Sequence, residues 1–188
     1  MLIEPEALKR VIEFLENNKI PYMVIGGLAI SVWGEPRVTH DADFKVSLDM
    51  PLLEFRKMFF EQFQERPTKI PKQVLSPYVL RIWALPEVAV DLLVSVFDYE
   101  KQAIKRAKKA TIEGVPTRVC RAEDLIIHKV VANREYDWLD VERVLIRQKS
   151  KLDQAYILNW LGQFSEALEN PEMLARYKKL RAQYDPND

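Results

Sequence analysis

Hydrophobic and polar positions change period several times along the chain. Leu8, Val11, Ile12 and Leu15 recur at helical spacing between Pro5 and Asn18, which predicts a first amphipathic helix. Tyr22-Met23-Val24-Ile25 stops at Gly26-Gly27, and Leu28 to Trp33 then runs to Gly34, which reads as strand, glycine turn and short helix. From Val38 to Val46 the period is two: His40, Ala42, Phe44 and Val46 share one face, Thr39, Asp41, Asp43 and Lys45 the other. Asp49 and Pro51 open a helix carrying Leu52, Phe55, Phe59 and Phe63, and Arg66 to Pro71 interrupts regular structure.

Val79 to Leu85 and Val88 to Val94, separated by Pro86-Glu87, predict a hairpin. A charged helix from about Asp98 to Lys109 precedes a second hairpin over Thr111 to Val119, turning at Glu113-Gly114. Helices are predicted from Glu123 to Ala132, from Asp137 or Trp138 onward, and from Gln154 to Tyr184 with a break at Asn170-Pro171. This order predicts an α+β protein: a core over 1–110 with a mixed or antiparallel sheet flanked by helices, and a mostly helical region over 111–188 packed on it.

Composition narrows the classes available. The 188 residues suit one domain or a core with an appendage, and 48% hydrophobic with 30% charged residues excludes disordered and collagen-like chains. Lys plus Arg and Asp plus Glu are both 28, so a uniformly basic nucleic-acid coat protein is excluded. One cysteine, Cys120, allows no internal disulfide, and two histidines, His40 and His128, allow no Cys/His zinc cluster. The acidic residues of MLIEPEALKR stand where a signal peptide needs basic ones, and no apolar run approaches the ~20 residues of a membrane span, so a cytoplasmic protein without a membrane partner is expected.

Three carboxylates stand out against this background. Asp41 and Asp43 are two apart in a strand-like segment, and Asp91 interrupts the apolar run from Val88 to Val94, although strands disfavour aspartate. Alternation puts Asp41 and Asp43 on one face, where their mutual repulsion calls for a cation. Mg²⁺ prefers such oxygens and keeps substrate phosphates among its ligands. With Asp91 on a neighbouring strand, three carboxylates could hold two ions, an arrangement suited to phosphoryl or nucleotidyl transfer. Gly26 and Gly27 could bring backbone amides and a helix N-terminus to phosphate oxygens. Each part has a plainer reading: the glycines as a tight turn alone, Asp41 and Asp43 as a solvated face, Asp91 half-buried against Arg81 or Arg37.

Val24-Ile25-Gly26-Gly27-Leu28-Ala29, then Gly34-Glu35-Pro36-Arg37-Val38-Thr39-His40-Asp41-Ala42-Asp43, with Asp91 in a later strand, resembles the polymerase-β-type nucleotidyltransferase superfamily. More narrowly the chain is similar to the minimal prokaryotic nucleotidyltransferases, including the AbiEii-like toxin group, over about Tyr22 to Leu145, where the segment from Arg121 to Lys129 with Arg134, Asp137 and Asp140 matches their helical part. The resemblance implies a nucleotidyltransferase fold and transfer of a nucleoside monophosphate from an NTP such as ATP to a hydroxyl, with Mg²⁺ as cofactor. It implies Asp41, Asp43 and Asp91 as metal-binding and catalytic residues, and Gly26, Gly27, Arg37 and Lys129 as nucleotide-binding residues. Many relatives carry Gly-Ser where this chain has Gly26-Gly27, at the cost of a hydroxyl contact to phosphate.

The acceptor is expected to be a macromolecule, a tRNA end or a partner protein in a toxin–antitoxin setting. The alternatives are a small aminoglycoside or lincosamide acceptor, and a catalytically silent binding protein. His40 falls on the face opposite Asp41, and His128 and Cys120 read as packing residues. Between Lys101 and Arg121, seven basic residues, Lys101, Lys105, Arg106, Lys108, Lys109, Arg118 and Arg121, face one acid, Glu113: a solvated face, or a phosphate-binding surface for an RNA acceptor.

Overall fold

The structure is a computed structural model and describes residues 3–39, 41–69 and 76–184. These form eight α-helices and seven strands: α1 (Pro5–Asn17), β1 (Tyr22–Ile25), α2 (Gly26–Trp33), β2 (Asp41–Val46), α3 (Leu52–Gln62), β3 (Gln64–Glu65), β4 (Val79–Leu85), β5 (Val88–Val94), α4 (Asp98–Arg106), β6 (Lys108–Ile112), β7 (Val115–Val119), α5 (Ala122–Ala132), α6 (Glu135–Gln148), α7 (Gln154–Ala167) and α8 (Pro171–Tyr184). Contacts divide them into two units, one of residues up to Leu28 with Arg37–Cys120, the other of Ala29–Pro36 with the chain from Arg121 onward.

The first unit is built on a mixed sheet in the order β3-β4-β5-β2-β1-β7-β6. β2 runs antiparallel to β1 and parallel to β5, while β1 runs parallel to β7. Alternation decides the faces: Ala42, Phe44 and Val46 are buried, as are Leu80, Ile82 and Ala84 in β4, and the residues between them in β4 are half-buried. Burial of Ala7, Leu8, Val11, Ile12 and Leu15 in α1 follows its helical stripe. Phe14 meets Phe55, Phe59 and Phe63 at ring-centroid separations of 6.4, 5.3 and 5.6 Å, the geometry in which aromatic pairs add to burial. The β6–β7 hairpin turns through Glu113 and Gly114, both at positive φ (48° and 79°), the pair of left-handed residues a two-residue turn demands. Because β7 pairs with β1, this hairpin belongs to the sheet rather than to the helical region that follows it.

In the second unit α5 stops at Asn133, which adopts φ 53° and accepts a hydrogen bond at 2.9 Å from Trp138 Nε1 of α6. Tyr156 donates to the buried Asp124 at 2.7 Å, and Tyr177 donates to Gln154 at 2.9 Å, which satisfies polar groups that helix packing removes from water. Arg147 and Gln148 of α6 donate to the carbonyls of Gly34 and Trp33, capping the last turn of α2. A side chain at Gly34 would stand 3.3 Å from Arg143 Cβ.

The mixed sheet and the helical C-terminal part agree with the expected α+β architecture. Helix α2 begins at Gly26 rather than Leu28, β2 begins at Asp41 rather than Val38, and α4 ends at Arg106 because the edge strand starts two residues later. The short strand β3 was not legible: two exposed residues carry no alternation. His40, and the end of the Arg66–Pro71 segment, lie outside the described residues. Among the described residues no helix is long and apolar enough to cross a membrane.

Candidate active site

Register brings the carboxylates together. Asp43 in β2 lies directly opposite Asp91 in the parallel strand β5, and Asp91 lies opposite Arg81 in β4, so three adjacent strands present Arg81, Asp91 and Asp43 on one face of the sheet. Asp41 shares that face two residues before Asp43 and is exposed, while Asp43 and Asp91 are half-buried. The apolar neighbours Ala42, Val90 and Leu92 point the other way into the core, which fixes the register, because a slip of one residue would bury the aspartates.

Gly26 closes β1 at φ 64°, and a Cβ placed there would lie 2.1 Å from Asp43 Oδ2. A Cβ on Gly27 would lie 2.7 Å from Thr39 Oγ1. The two glycines therefore let the strand-to-helix turn sit directly against Asp43 and Thr39. Gly26→Ala is expected to cost about 1–2 kcal/mol for the left-handed backbone alone, with a further penalty as Asp43 is displaced, and a lowered urea midpoint measures it.

Thr39, which the sequence reading did not single out, is buried and donates to Asp41, to its carbonyl at 3.2 Å and its Oδ1 at 3.1 Å. It fixes the Asp41 rotamer, and a threonine two residues before an aspartate is the signal that could have found it. Arg66 was also missed. It follows β3, donates its backbone amide to Arg81 at 2.9 Å, stacks 5.6 Å over Trp83 and makes a salt bridge with Asp91. Arg81 Nε lies 3.7 Å from the other oxygen of Asp91.

Burial pushes the Asp91 carboxyl above its ordinary value; Arg66 and Arg81 oppose this, and the charge of Asp41 adds to it. Ionised Asp91 is therefore under-compensated even with two arginines beside it. Lys45, on the same face of β2, is engaged by Glu100 of α4. Burial would raise Glu100, but Lys45 and the amides of Val96 (2.7 Å) and Phe97 (3.2 Å) outweigh it and hold it below the usual carboxylate range.

The other expected residues fall as follows. Arg37, in the loop before β2, donates to the Val38 carbonyl at 3.2 Å. Lys129 lies in α5 of the second unit, buried, with its Nζ 2.8 Å from Asp137 and 2.9 Å from Asp140. Among the described residues no group of three or more His, Cys, Asp or Glu side chains is disposed to hold a metal ion. Asp41 and Asp43 as a pair fit Mg²⁺ of the kind that uses one or two carboxylates and completes its shell with water and substrate phosphates; they do not make a closed cage.

Three solved structures share the fold: the antibiotic-resistance factor ANT(2'')-Ia (16% identity, TM-score 0.54, 94% of each chain covered), an antigenic nucleotidyltransferase-like protein from Paracoccidioides brasiliensis (15% identity, TM-score 0.52, 94% of each chain), and the lincomycin-bound lincosamide antibiotic adenylyltransferase LnuA (10% identity, TM-score 0.50, 77% of this chain and 98% of that one). No curated protein gives a significant match in sequence. A family model described as nucleotidyl transferase of unknown function (DUF2204) matches residues 4–179, nearly the whole chain, and the protein belongs to that family.

Proposed function

We propose that the protein is an enzyme that transfers a nucleoside monophosphate from an NTP to a hydroxyl group on a macromolecular acceptor, a tRNA end or a partner protein. The observation that carries this reading is the in-register pairing of Asp43 with Asp91, with Asp41 on the same face and Gly26 against Asp43. In the reaction, the acceptor oxygen bonds to the α-phosphorus, the bond to the β-phosphate oxygen breaks, and pyrophosphate leaves. Mg²⁺ held by Asp41 and Asp43 would supply neutralisation of phosphate charge, with Asp91 left to Arg66 and Arg81.

Asp91 takes the proton of the acceptor hydroxyl, a role its raised pKa suits, since a base works best when its pKa approaches the working pH. Gly26 and Gly27 present backbone amides to the triphosphate, and Arg37 adds a cation from the loop before β2. A toxin–antitoxin role follows only if the acceptor is a host tRNA or a cognate partner. A small-molecule acceptor is the second reading, favoured by the likeness in fold to LnuA and ANT(2'')-Ia.

Incubation with labelled NTPs, Mg²⁺ and total tRNA, repeated with aminoglycosides and lincosamides, separates these readings by where the label appears. Label on none of them, with any NTP, overturns the macromolecular reading for tRNA and leaves a protein acceptor, tested with lysate as acceptor; no label anywhere leaves a silent binding protein.

The pH profile gives a further prediction. Because Asp91 must be ionised to accept a proton, activity falls as pH drops through its pKa, and the acid limb of kcat/KM should lie above the 3.8 of an ordinary aspartate. Arg66 lowers that pKa, so Arg66→Met should move the acid limb to higher pH. A limb that stays in place excludes Asp91 as the base.

A further inference from the structure

Three residues of the basic stretch noted in the sequence, joined by Lys19, line a groove. Lys19 in the turn after α1, Lys105 in α4, Lys109 in β6 and Arg118 in β7 line two adjoining depressions of about 430 and 510 Å³, which share Glu16 and Arg118. Lys109 and Arg118 are register partners, so two like charges sit directly opposite each other, an arrangement that destabilises a sheet unless an anion lies between them. Among the described residues none of the four cations has a carboxylate within ion-pair distance. Glu16, the one acid in the groove, accepts a hydrogen bond from Tyr22 at 3.1 Å. Four cations therefore face one carboxylate.

The groove lies at the opposite end of β1 from the glycine turn. Tyr22 and Gly26 are four residues apart along an extended strand, about 13 Å. Cations spread over four separate elements suit an extended polyanion better than a single phosphate group.

We propose that this groove binds the sugar–phosphate backbone of a polynucleotide acceptor whose terminal hydroxyl reaches the aspartate site. The proposal rests on the nucleotidyl-transfer reading and specifies its acceptor as nucleic acid rather than protein.

Fluorescence anisotropy of a labelled single-stranded RNA oligonucleotide tests it, without NTP, on the full chain and on Asp43→Asn. Four phosphate contacts predict a slope of log affinity against log salt of about −2.8, and the triple variant Lys105→Ala, Lys109→Ala, Arg118→Ala should reduce it to about −0.7, with affinity at least about tenfold weaker in low salt. Affinity and slope unchanged in the triple variant overturn the proposal, as does a labelled polyglutamate peptide that binds the parent as tightly as the RNA. The parent's own salt slope is read without any substitution, so a poorly folded variant does not remove the test. Binding is measured apart from turnover: RNA bound by the parent but never nucleotidylated by it, with any NTP and Mg²⁺, sinks the transfer reading and keeps the groove. Transfer to a small acceptor with no RNA binding sinks the groove and keeps the transfer.

Discussion

Asp43→Asn should fold and melt close to the parent yet transfer nucleotide at least about 100-fold more slowly, a barrier increase of about 2.7 kcal/mol or more. Asparagine is isosteric, so the contact with Gly26 survives and the register opposite Asp91 is kept. What disappears is one negative charge of the Asp41–Asp43 pair, the part of the face that can hold a cation brought in with phosphates. Radiolabel transfer under single-turnover conditions separates chemistry from binding, and circular dichroism melting monitors the fold. Undiminished transfer by the variant would remove Asp43 from the metal-binding set.

Lys129→Met should lower the stability of the protein by about 3–5 kcal/mol, because it removes the cation shared by two fully buried carboxylates. Asp137 would keep Arg134 and Asp140 would keep Arg143 at 3.0 Å, but the buried charge between them would lose its compensation. Burial would raise the Asp137 carboxyl, and the hydrogen bonds and charges of Arg134 and Lys129 overcome it, so its pKa falls below 3.8 in the folded protein. A depressed carboxylate contributes stability that is fully present above its unfolded value and is lost as pH falls through the folded one. Stability from this cluster should therefore be constant at neutral pH and decline below about pH 4.

Urea denaturation at two pH values reads both effects. The same variant tests the expectation that Lys129 contacts nucleotide. A structural role moves the urea midpoint and leaves the KM for NTP in the surviving folded protein unchanged, whereas a phosphate contact raises KM.

The parts of the fold with strong periodicity were legible in advance. The β4–β5 hairpin fell on its predicted residues, since Pro86-Glu87 interrupts two apolar runs and Asp91 cannot face a core. The alternation from Ala42 to Val46 likewise separated the buried face from the aspartates, because a period of two survives any tertiary context that covers one face. Legibility failed where the cause lies far away in the chain. Arg66 reaches Asp91 across 25 positions through β3, a strand too short and too exposed to leave a pattern. Pairing of β7 with β1 was equally invisible, since no local feature of Val115 to Val119 names its partner. The glycines could be read as a turn from sequence, but the reason for them, the closeness of Asp43 and Thr39, needed coordinates.

The position of β1 also sets a timetable for synthesis. One side of this strand pairs with β2, close behind it, while the other waits for β7, with Val24 opposite Val119. At about 5–20 residues per second, the ribosome needs roughly 5–20 s to deliver the second partner. During that interval the nascent chain carries an apolar strand edge with open backbone amides, the kind of edge that recruits a neighbouring chain. Folding yield should then depend on the rate of elongation between these strands and on chaperones that cover the edge, and slow codons before β7 should increase aggregation more than slow codons after it.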